Sequence, residues 1–186
     1  MTYHLDIRLR PDPDFPPQTL MNVLFSKLHR ALASRGAGDI GVSFPGYEEG
    51  RRLDSRLRLH GSEDALTQLM GQAWLAGMLD HVLVSVVAPS PAGAFHRVVR
   101  RVQAKSSPDR IRRRQMRRHG LSEQEALEKI PDASRKTVSL PYLQIRSAST
   151  EQSFPLFIQH GPPLDKPRSG RFSSYGLSDT ATIPWF

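Results

Sequence analysis

The chain of 186 residues contains no cysteine. Disulfide bridges, thiolate metal sites and cysteine nucleophiles are therefore excluded. A chain without thiols is compatible with a reducing compartment, and we expect a cytoplasmic protein. The seven histidines offer no substitute metal site, because none of them stands in HxxxH or HxH spacing. The sequence thus predicts neither a metal nor another cofactor.

Long apolar runs are also missing. The longest mostly apolar stretch, residues 82–89, is far shorter than the roughly 20 residues that cross a bilayer. The first ten residues, MTYHLDIRLR, alternate between apolar and polar side chains and lack the apolar segment of a signal peptide. We therefore expect no membrane partner. The 38% of hydrophobic residues is enough to build a core.

Acidic side chains are scarce in residues 97–118, which hold nine arginines and one lysine against a single acid, Asp109. The local charge of +9 (10 minus 1) exceeds the +8 of the whole chain, so the rest is close to neutral. A dense arginine block usually binds a polyanion, since each neutralised phosphate releases counterions. The guanidinium fork can also bond a phosphate or a guanine edge at two points. A solvated basic segment is the alternative.

The arginine block is patterned as a strand followed by a helix. Residues 95–103 form a stretch rich in valine, and Ser107, Pro108 and Asp109 favour the start of a helix. The sequence predicts an arginine-rich helix over about 108–119. At about 100° per residue, five arginines fall on one arc of this helix, where their like charges repel unless an anion meets them. They are Arg110, Arg113, Arg114, Arg117 and Arg118.

The first 93 residues alternate between strand and helix patterns. The predicted order is a strand at 5–9, a helix at 17–36, strands at 40–44 and 56–60, a helix at 62–79 and a strand at 82–86. This β-α-β-β-α-β order is that of a ferredoxin-like, RRM-like unit. We therefore predict an α+β protein whose first domain, 1–93, is ferredoxin-like and ends in a Pro- and Gly-rich linker.

Residues 94–186 are predicted to form a smaller α+β domain that carries the arginine-rich helix. A second helix follows, because Ser122 and Glu125 make a capping box and Ile130 stands before a proline. Two or three short strands complete the domain. Their predicted positions are 137–145, 154–160 and 172–177.

Several segments of the chain resemble one known family. They are HLDIRLRPDPDFPP, RVQAKSSPDRIRRRQMRRHGLSEQEA, LQIRSAST, FPLFIQHGP, YGLS and the final PWF. Together they resemble the Csy-type endoribonuclease that processes repeat transcripts in type I-F CRISPR systems. The resemblance implies that the protein binds the stem-loop of a CRISPR repeat and cuts once at the base of the stem. It also implies that the protein stays bound to the mature CRISPR RNA and joins other subunits of a surveillance complex.

The resemblance also assigns an active site. RNA carries its own nucleophile, the 2′-hydroxyl, so a metal-free ribonuclease needs a base and leaves a 2′,3′-cyclic phosphate and a 5′-hydroxyl. His29 stands where the family has its base; on helical position alone, a histidine of the surface or core rim is the commoner interpretation. Ser147 matches the family's serine that orients the ribose, and is not expected to act as a covalent nucleophile. Tyr175 matches a tyrosine that positions the histidine, with a core tyrosine as the alternative.

RNA recognition is assigned in the same way. Arg101 and Gln103 lie two apart on a strand, point to the same side and can pair with guanine and adenine edges. They resemble the family's readers of the base pairs at the stem foot, with ordinary surface residues as the alternative. Phe154 resembles an aromatic that stacks on a base, with a core phenylalanine as the alternative. The other expected RNA-binding residues are Lys105, Ser106, Arg110, Arg113, Arg114, Arg117, Arg118, Ser149 and Thr150.

Two other classes of protein remain open at this point. One is a non-catalytic subunit that binds an RNA hairpin within a ribonucleoprotein complex. The presence of both His29 and Ser147 speaks against it. The other is an unrelated RNA chaperone or ribosome-associated basic protein, a class that spreads its charge, whereas this chain confines it to one segment.

Overall fold

The structure is a computed structural model that describes residues 1–48, 52–103, 108–131, 138–146 and 152–186. Within these residues the helices are α1 (Pro17–Arg35), α2 (Glu63–Met70), α3 (Pro108–His119) and α4 (Glu123–Lys129). The strands are β1 (Tyr3–Leu9), β2 (Gly41–Ser43), β3 (Arg56–Gly61), β4 (Val82–Val84), β5 (Ala88–Pro89), β6 (Phe95–Val102), β7 (Tyr142–Arg146), β8 (Ser153–His160) and β9 (Thr182–Trp185). The described part is a mixed α+β protein, which confirms the predicted class.

The first sheet is built around β1. Its strand order is β2-β3-β1-β4, all neighbours are antiparallel, and β5 also pairs with β1. Leu5, Ile7 and Leu9 of β1 are buried, whereas Arg8 between them is exposed. Because side chains alternate between the two faces of a strand, the apolar alternation in the sequence places one face of β1 in the core.

The second sheet has the order β7-β8-β6-β9 and is also antiparallel. Its two strand prolines stand where a missing N–H is tolerated. Pro155 of β8 pairs with Gln144 of β7, before the part of β8 that pairs with β6. Pro184 lies on the edge strand β9. The basic strand β6 is therefore central and held on both sides.

Helix α1 is the longest helix of the described residues and carries one apolar face. It begins at Pro17, a residue type that suits the first helical position, and its last residue, Arg35, is followed by the capping residue Gly36, whose φ is 65°. The buried residues on it are Leu20, Met21, Leu24, Phe25, Leu28, Ala31 and Leu32. These buried residues recur at intervals of three and four positions, which is the pattern of an amphipathic helix.

Hydrogen bonds tie α1 to the second sheet as well. Gln18 Nε2 donates to the carbonyl oxygen of Tyr142 at 3.1 Å. Asn22 Oδ1 accepts from the backbone N–H of Gln144 at 3.0 Å. The start of α1 is thus fixed against β7, and its orientation depends on residues that lie more than 100 positions later in the chain.

Two compact units make up the chain. The first comprises Met1–Val102 and Leu140–Phe186 and contains both sheets, α1 and α2 around one apolar core. The second comprises Gln103–Ser139 and contains α3 and α4. Helix α4 starts at a capping box in which the Ser122 hydroxyl accepts from the Glu125 N–H and the Glu125 carboxylate accepts from the Ser122 N–H. The proposed boundary after residue 93 stays a prediction.

The structure differs from the predicted elements in several places. The helix predicted at 62–79 ends at Met70, because Gly71 and later Gly77 (φ 73°) interrupt it, and short 3-10 turns follow at Ala73–Leu75 and Leu79–His81. The strand predicted at 172–177 is wrong, since this segment closes on itself as a turn. Strand β9 was not predicted, because proline weakens a strand pattern.

Polar contacts join the two sheets inside the first unit. The Arg58 guanidinium binds Asp6 with Nε at 2.6 Å and Nη2 at 2.9 Å, and its Nη1 donates to the carbonyl oxygen of Phe186 at 2.8 Å. The backbone N–H of Phe44 donates to Nε2 of the buried His160 at 3.2 Å. That hydrogen bond requires a lone pair on Nε2, so His160 is neutral in the folded protein.

The buried histidines are expected to make the fold sensitive to acid. Burial lowers the pKa of His160 from 6.5 to about 3, with a smaller contribution from Arg97, and burial lowers the pKa of His60 well below 6.5. The unfolded chain therefore binds more protons, and the stability present above pH 6.5 is lost as the pH falls toward 3. Each histidine contributes a slope of about 1.4 kcal/mol per pH unit.

Urea unfolding between pH 6.5 and 5 measures this slope where most carboxylates are already ionised. We expect His160→Gln, whose amide oxygen can still accept from Phe44, to show a slope shallower by about 1.4 kcal/mol per pH unit than the parent. An unchanged slope in His160→Gln would contradict the assignment of a neutral buried His160.

Within the described ranges, none of the helices is long and apolar enough to span a bilayer.

Candidate active site

His29 lies on α1 at the border between its buried and exposed faces. The preceding residue, Leu28, is fully buried, and His29 itself is partly exposed. Its Nδ1 lies 2.9 Å from the carbonyl oxygen of Ser174. A carbonyl oxygen can only accept a hydrogen bond, so Nδ1 carries the proton. In the neutral imidazole, Nε2 is then left with its lone pair and can take up a proton.

Tyr175 packs against the face of the His29 ring. The two rings are stacked with their centroids 4.0 Å apart and their planes 8° from parallel. Two neighbouring residues thus contact His29: Ser174 through its carbonyl oxygen and Tyr175 through its ring. The position of the imidazole is therefore set by a segment about 145 residues away in the sequence.

Backbone hydrogen bonds fix the turn that presents Tyr175. The Gly176 N–H donates to the Ser173 oxygen, and the Ser173 N–H donates to the Leu177 oxygen, both at 2.8 Å. The Gly176 oxygen in turn accepts from the N–H of Val42 at 2.9 Å. Gly176 has a φ of 69°, and a Cβ at this position would lie 2.6 Å from Val42 Cγ1. A larger residue here would move Tyr175, so the glycine is required by both conformation and space.

Arg101 and Phe154 complete the arrangement. The guanidinium carbon of Arg101, on β6, lies 5.8 Å from the centre of the Tyr175 ring and 5.3 Å from that of Phe154 on β8. Both distances are within the range of cation–π contacts. We call His29, Tyr175, Arg101 and Phe154 the His29 cluster. All four residues are partly buried, between the core and the solvent.

The His29 cluster unites a base, a cation and two aromatic faces. Nε2 of His29 can accept a proton from a hydroxyl, and the Arg101 guanidinium can bind a phosphate or a guanine edge. The Phe154 ring offers a face for a base. Within the described ranges, no group of three His, Cys, Asp or Glu side chains is placed to hold a metal ion.

The remaining predicted residues fall into three groups. Gln103 directly follows β6 and is exposed. Arg113, Arg114, Arg117 and Arg118 are exposed on α3, whereas Arg112 donates from Nε to the Ile130 oxygen at 2.8 Å. Arg110 belongs to α3, but its side chain is outside the described atoms. Lys105, Ser106, Ser147, Ser149 and Thr150 lie outside the described residues.

Sequence reasoning missed the carbonyl of Ser174, which orients His29. A backbone oxygen leaves no mark in residue type, so only the fold reveals it. It also missed Arg171, whose Nη2 donates to the oxygens of Gly36 at 3.3 Å and Ala37 at 3.1 Å. The only sequence signal near these residues is the YGLS segment that begins at Tyr175.

Comparison with known proteins places these residues in a family. The model of the family "CRISPR-associated protein (Cas_Csy4)" matches residues 4–186. A protein of Pseudomonas aeruginosa (strain UCBPP-PA14) named "CRISPR-associated endonuclease Cas6/Csy4" is 52% identical over 187 residues, covering 100% of both chains. A protein of the same name from Escherichia coli (strain UTI89 / UPEC) is 48% identical over 186 residues, again covering 100% of both chains. The chain therefore belongs to the Csy4 family of CRISPR-associated proteins, as its sequence segments indicate.

Proposed function

We propose that the protein is an endoribonuclease that binds the hairpin of a CRISPR repeat transcript and cuts it once at the base of the stem. The observation that carries the proposal is the contact between His29 Nδ1 and the Ser174 oxygen, which leaves the Nε2 lone pair available as a base. Two relatives that match the full chain are named CRISPR-associated endonucleases. The basic segment 97–118 supports an RNA substrate.

The proposed reaction uses the 2′-hydroxyl of the RNA as nucleophile. Nε2 of His29 takes the hydroxyl proton, and the 2′-oxygen forms a bond to the adjacent phosphorus. The bond from phosphorus to the 5′-oxygen of the next nucleotide breaks, that oxygen takes a proton from solvent water, and His29 afterwards returns its proton to the solvent. The products are a 2′,3′-cyclic phosphate and a 5′-hydroxyl. The reaction requires no metal ion in this proposal.

Tyr175 is proposed to act on His29 and not on the RNA. Stacked at 4.0 Å, it restricts the ring to the plane that the Ser174 contact selects. Ser147 is proposed, from the family resemblance, to orient the ribose near the 2′-hydroxyl. The proposal thus divides the catalytic residues into a base, a residue that positions the base and one that positions the substrate.

RNA recognition is proposed to involve base contacts and phosphate contacts. Arg101 and Gln103 would read base pairs at the foot of the stem, and Phe154 would stack on an adjacent base. A-form RNA has a deep and narrow major groove, which a helix can enter only near a stem end or loop. A short hairpin is therefore the expected substrate. The proposed phosphate contacts are Lys105, Ser106, Arg110, Arg113, Arg114, Arg117, Arg118, Ser149 and Thr150.

The domain organisation in this proposal follows the family. Residues 1–93 would form a ferredoxin-like domain, which the element order and the sheet order β2-β3-β1-β4 support. Residues 94–186 would form the RNA-recognition domain with the arginine-rich helix. We propose further that the protein stays bound to the mature CRISPR RNA in the cytoplasm and joins other subunits of a type I-F surveillance complex.

Incubation with the repeat RNA in EDTA tests the reaction. We expect a single cut, a 2′,3′-cyclic phosphate on the upstream product and a 5′-hydroxyl on the downstream one. An RNA with 2′-deoxyribose before the cut should bind and resist cleavage, because the nucleophile is missing. Loss of cutting in EDTA, or a 3′-hydroxyl product, would contradict the proposed chemistry. Binding of the native repeat hairpin without any cut would instead support a non-catalytic RNA-binding subunit.

A further inference from the structure

Strand β7 is an edge strand of the second sheet, and side chains of α1 bind its free edge. The Ile158 N–H of β8 donates to the Pro141 oxygen at 3.0 Å, so alternate residues from Pro141 onward bond toward β8. The backbone groups of Tyr142 and Gln144 therefore point the other way, where an edge strand has no neighbouring strand. They need partners from outside the sheet.

Two amide side chains of α1 supply these partners. Gln18 Nε2 donates to the Tyr142 oxygen at 3.1 Å. Asn22 Oδ1 accepts from the Gln144 N–H at 3.0 Å and also from Gln18 Nε2 at 3.0 Å. Because a carbonyl oxygen only accepts and a backbone N–H only donates, each contact fixes which end of the amide faces β7. We call Gln18 and Asn22 the edge amides.

The edge amides match the spacing of the strand. They are four residues apart on the helix (22 minus 18), which is a rise of about 6 Å. Their partners, Tyr142 and Gln144, are two residues apart on the strand, which is about 7 Å. Since the earlier residue of α1 binds the earlier residue of β7, the helix and the strand run in the same direction here. Two such contacts fix the direction of α1 along β7, whereas a single contact would leave a pivot.

Helix α1 carries this alignment to the base. His29 follows Asn22 by seven residues (29 minus 22), which is close to two turns and about 10 Å along the axis, so both lie on nearly the same side of the helix. The helix between them is anchored by three fully buried residues, Leu24, Phe25 and Leu28. A shift of α1 at the edge amides would therefore move the His29 imidazole by a similar amount.

Strand β7 carries the same alignment to the other side of the site. Gln144 is followed by Ile145, a buried residue that stands opposite Phe154 of the His29 cluster in the β7–β8 ladder. Residues directly opposite each other lie on the same face of a sheet, so the position of β7 sets that of the Phe154 ring. Strand β7 ends at Arg146, and Ser147, the residue proposed to orient the ribose, is next in the chain.

We propose that Asn22 is a positioning residue for RNA cleavage, which sets α1 and its base, His29, in register with the β7–β8 hairpin. Gln18 supports it by binding both Asn22 and the strand. The inference rests on the proposed function, since it takes His29 as the base. Displacement of a reacting group by about 1 Å can cost about 10²-fold in rate, so loss of the edge contact is expected to slow cleavage more than it weakens RNA binding.

The test makes the same change, amide to carboxylate, at both edge amides. Asn22→Asp keeps an oxygen that accepts from Gln144 and should cut at close to the parent rate. Gln18→Glu has no N–H to donate and turns a carboxylate toward the Tyr142 oxygen, so it should cut more slowly. Both variants add one negative charge, about one turn of α1 apart, so general repulsion of the RNA is nearly the same in the two.

Asn22→Ala removes the contact altogether, and we expect the cleavage rate at saturating protein to fall roughly tenfold. Affinity for the hairpin with 2′-deoxyribose before the cut should change little. The pH at which the rate is half-maximal should stay that of the parent, because His29 keeps its own contacts with Ser174 and Tyr175. Ser26→Ala is the matched control: its hydroxyl donates to the Asn22 backbone oxygen at 2.7 Å, a bond within α1, and its loss should leave the rate unchanged.

Amide hydrogen exchange of the RNA-free protein measures the edge contact directly. The Gln144 N–H should be protected in the parent, in Asn22→Asp and in Ser26→Ala. It should exchange faster in Asn22→Ala, since an edge N–H without a partner is open to water. Exchange thus reports the hydrogen bond, and the cleavage rate reports what the hydrogen bond does for the reaction.

Three results would overturn the positioning role alone, and a fourth would overturn the proposed function. Asn22→Ala that exchanges faster at Gln144 but cuts at the parent rate removes the positioning role and leaves the proposed function intact. Equal losses of rate and affinity in Asn22→Ala, with a lower melting temperature, make Asn22 a residue of general stability only. If Asn22→Asp cut as slowly as Gln18→Glu, the added charge and not the edge contact would explain the loss. A parent that does not cut the repeat overturns the proposed function, and the positioning role falls with it.

Discussion

Replacement of His29 by alanine is expected to slow cleavage of the repeat hairpin by roughly 10²-fold or more, which is the usual contribution of a general base. Affinity for the uncut hairpin should change little, because the imidazole contacts the Ser174 oxygen and the Tyr175 ring and is not part of the basic segment 97–118. Single-turnover cleavage at saturating protein separates the two quantities. The binding measurement uses RNA with 2′-deoxyribose before the cut.

Two further variants sharpen this prediction. His81→Ala removes another histidine of the same unit, one that contacts Asp12 and lies outside the His29 cluster, and should cut at the parent rate. Tyr175→Ala removes the stacking partner and should lower the cleavage rate, whereas Tyr175→Phe keeps the ring and should retain most of it. If His29→Ala cut at the parent rate, the base would have to be reassigned. If it abolished binding, His29 would be an RNA contact or a structural residue.

The elements that hold the site were largely predictable, because their signals are local. The apolar stripe of α1 and its proline and glycine ends can be read from neighbouring residues, and so can the alternation in β1 and the valine-rich β6. Helix α3 spans Pro108–His119, where the cap residues and Gly120 indicate a helix. Each of these elements is specified by the spacing of apolar and polar residues over a few helical turns or a few strand positions.

The contacts within the site were not predictable from such signals. Ser174 reaches His29 across 145 residues, and nothing in the type of either residue encodes that distance. The segment that contains Ser174 was predicted as a strand, because Phe172 and Leu177 are apolar residues within a short run. In the structure Gly176 adopts a positive φ and fits against Val42, so tertiary packing decides the local conformation.

The basic helix provides the second large expected effect. Arg114 and Arg118 are both exposed on α3 and lie four residues apart, which places them on one face. Replacing both by alanine is expected to weaken hairpin binding roughly tenfold or more near physiological salt. Each lost phosphate contact should reduce the slope of log affinity against log salt by about 0.7 to 0.9. Binding isotherms of the uncleavable hairpin at four salt concentrations measure both quantities.

Controls for this effect separate charge in general from charge on α3, and phosphate contacts from base contacts. The double variant Arg52→Ala and Arg168→Ala removes the same charge from exposed positions outside α3 and should leave the slope nearly unchanged. Gln103→Ala carries no charge change, so it should keep the slope and instead weaken the preferred base pair by about 1–3 kcal/mol relative to a swapped pair. The amide of Gln103 releases no counterion. If Gln103→Ala lost affinity equally for both hairpins, we would conclude that Gln103 positions the protein without reading a base. An α3 variant with the parent slope would mean that Arg114 and Arg118 face solvent when RNA is bound, and the phosphate contacts would then have to come from other residues of the basic segment.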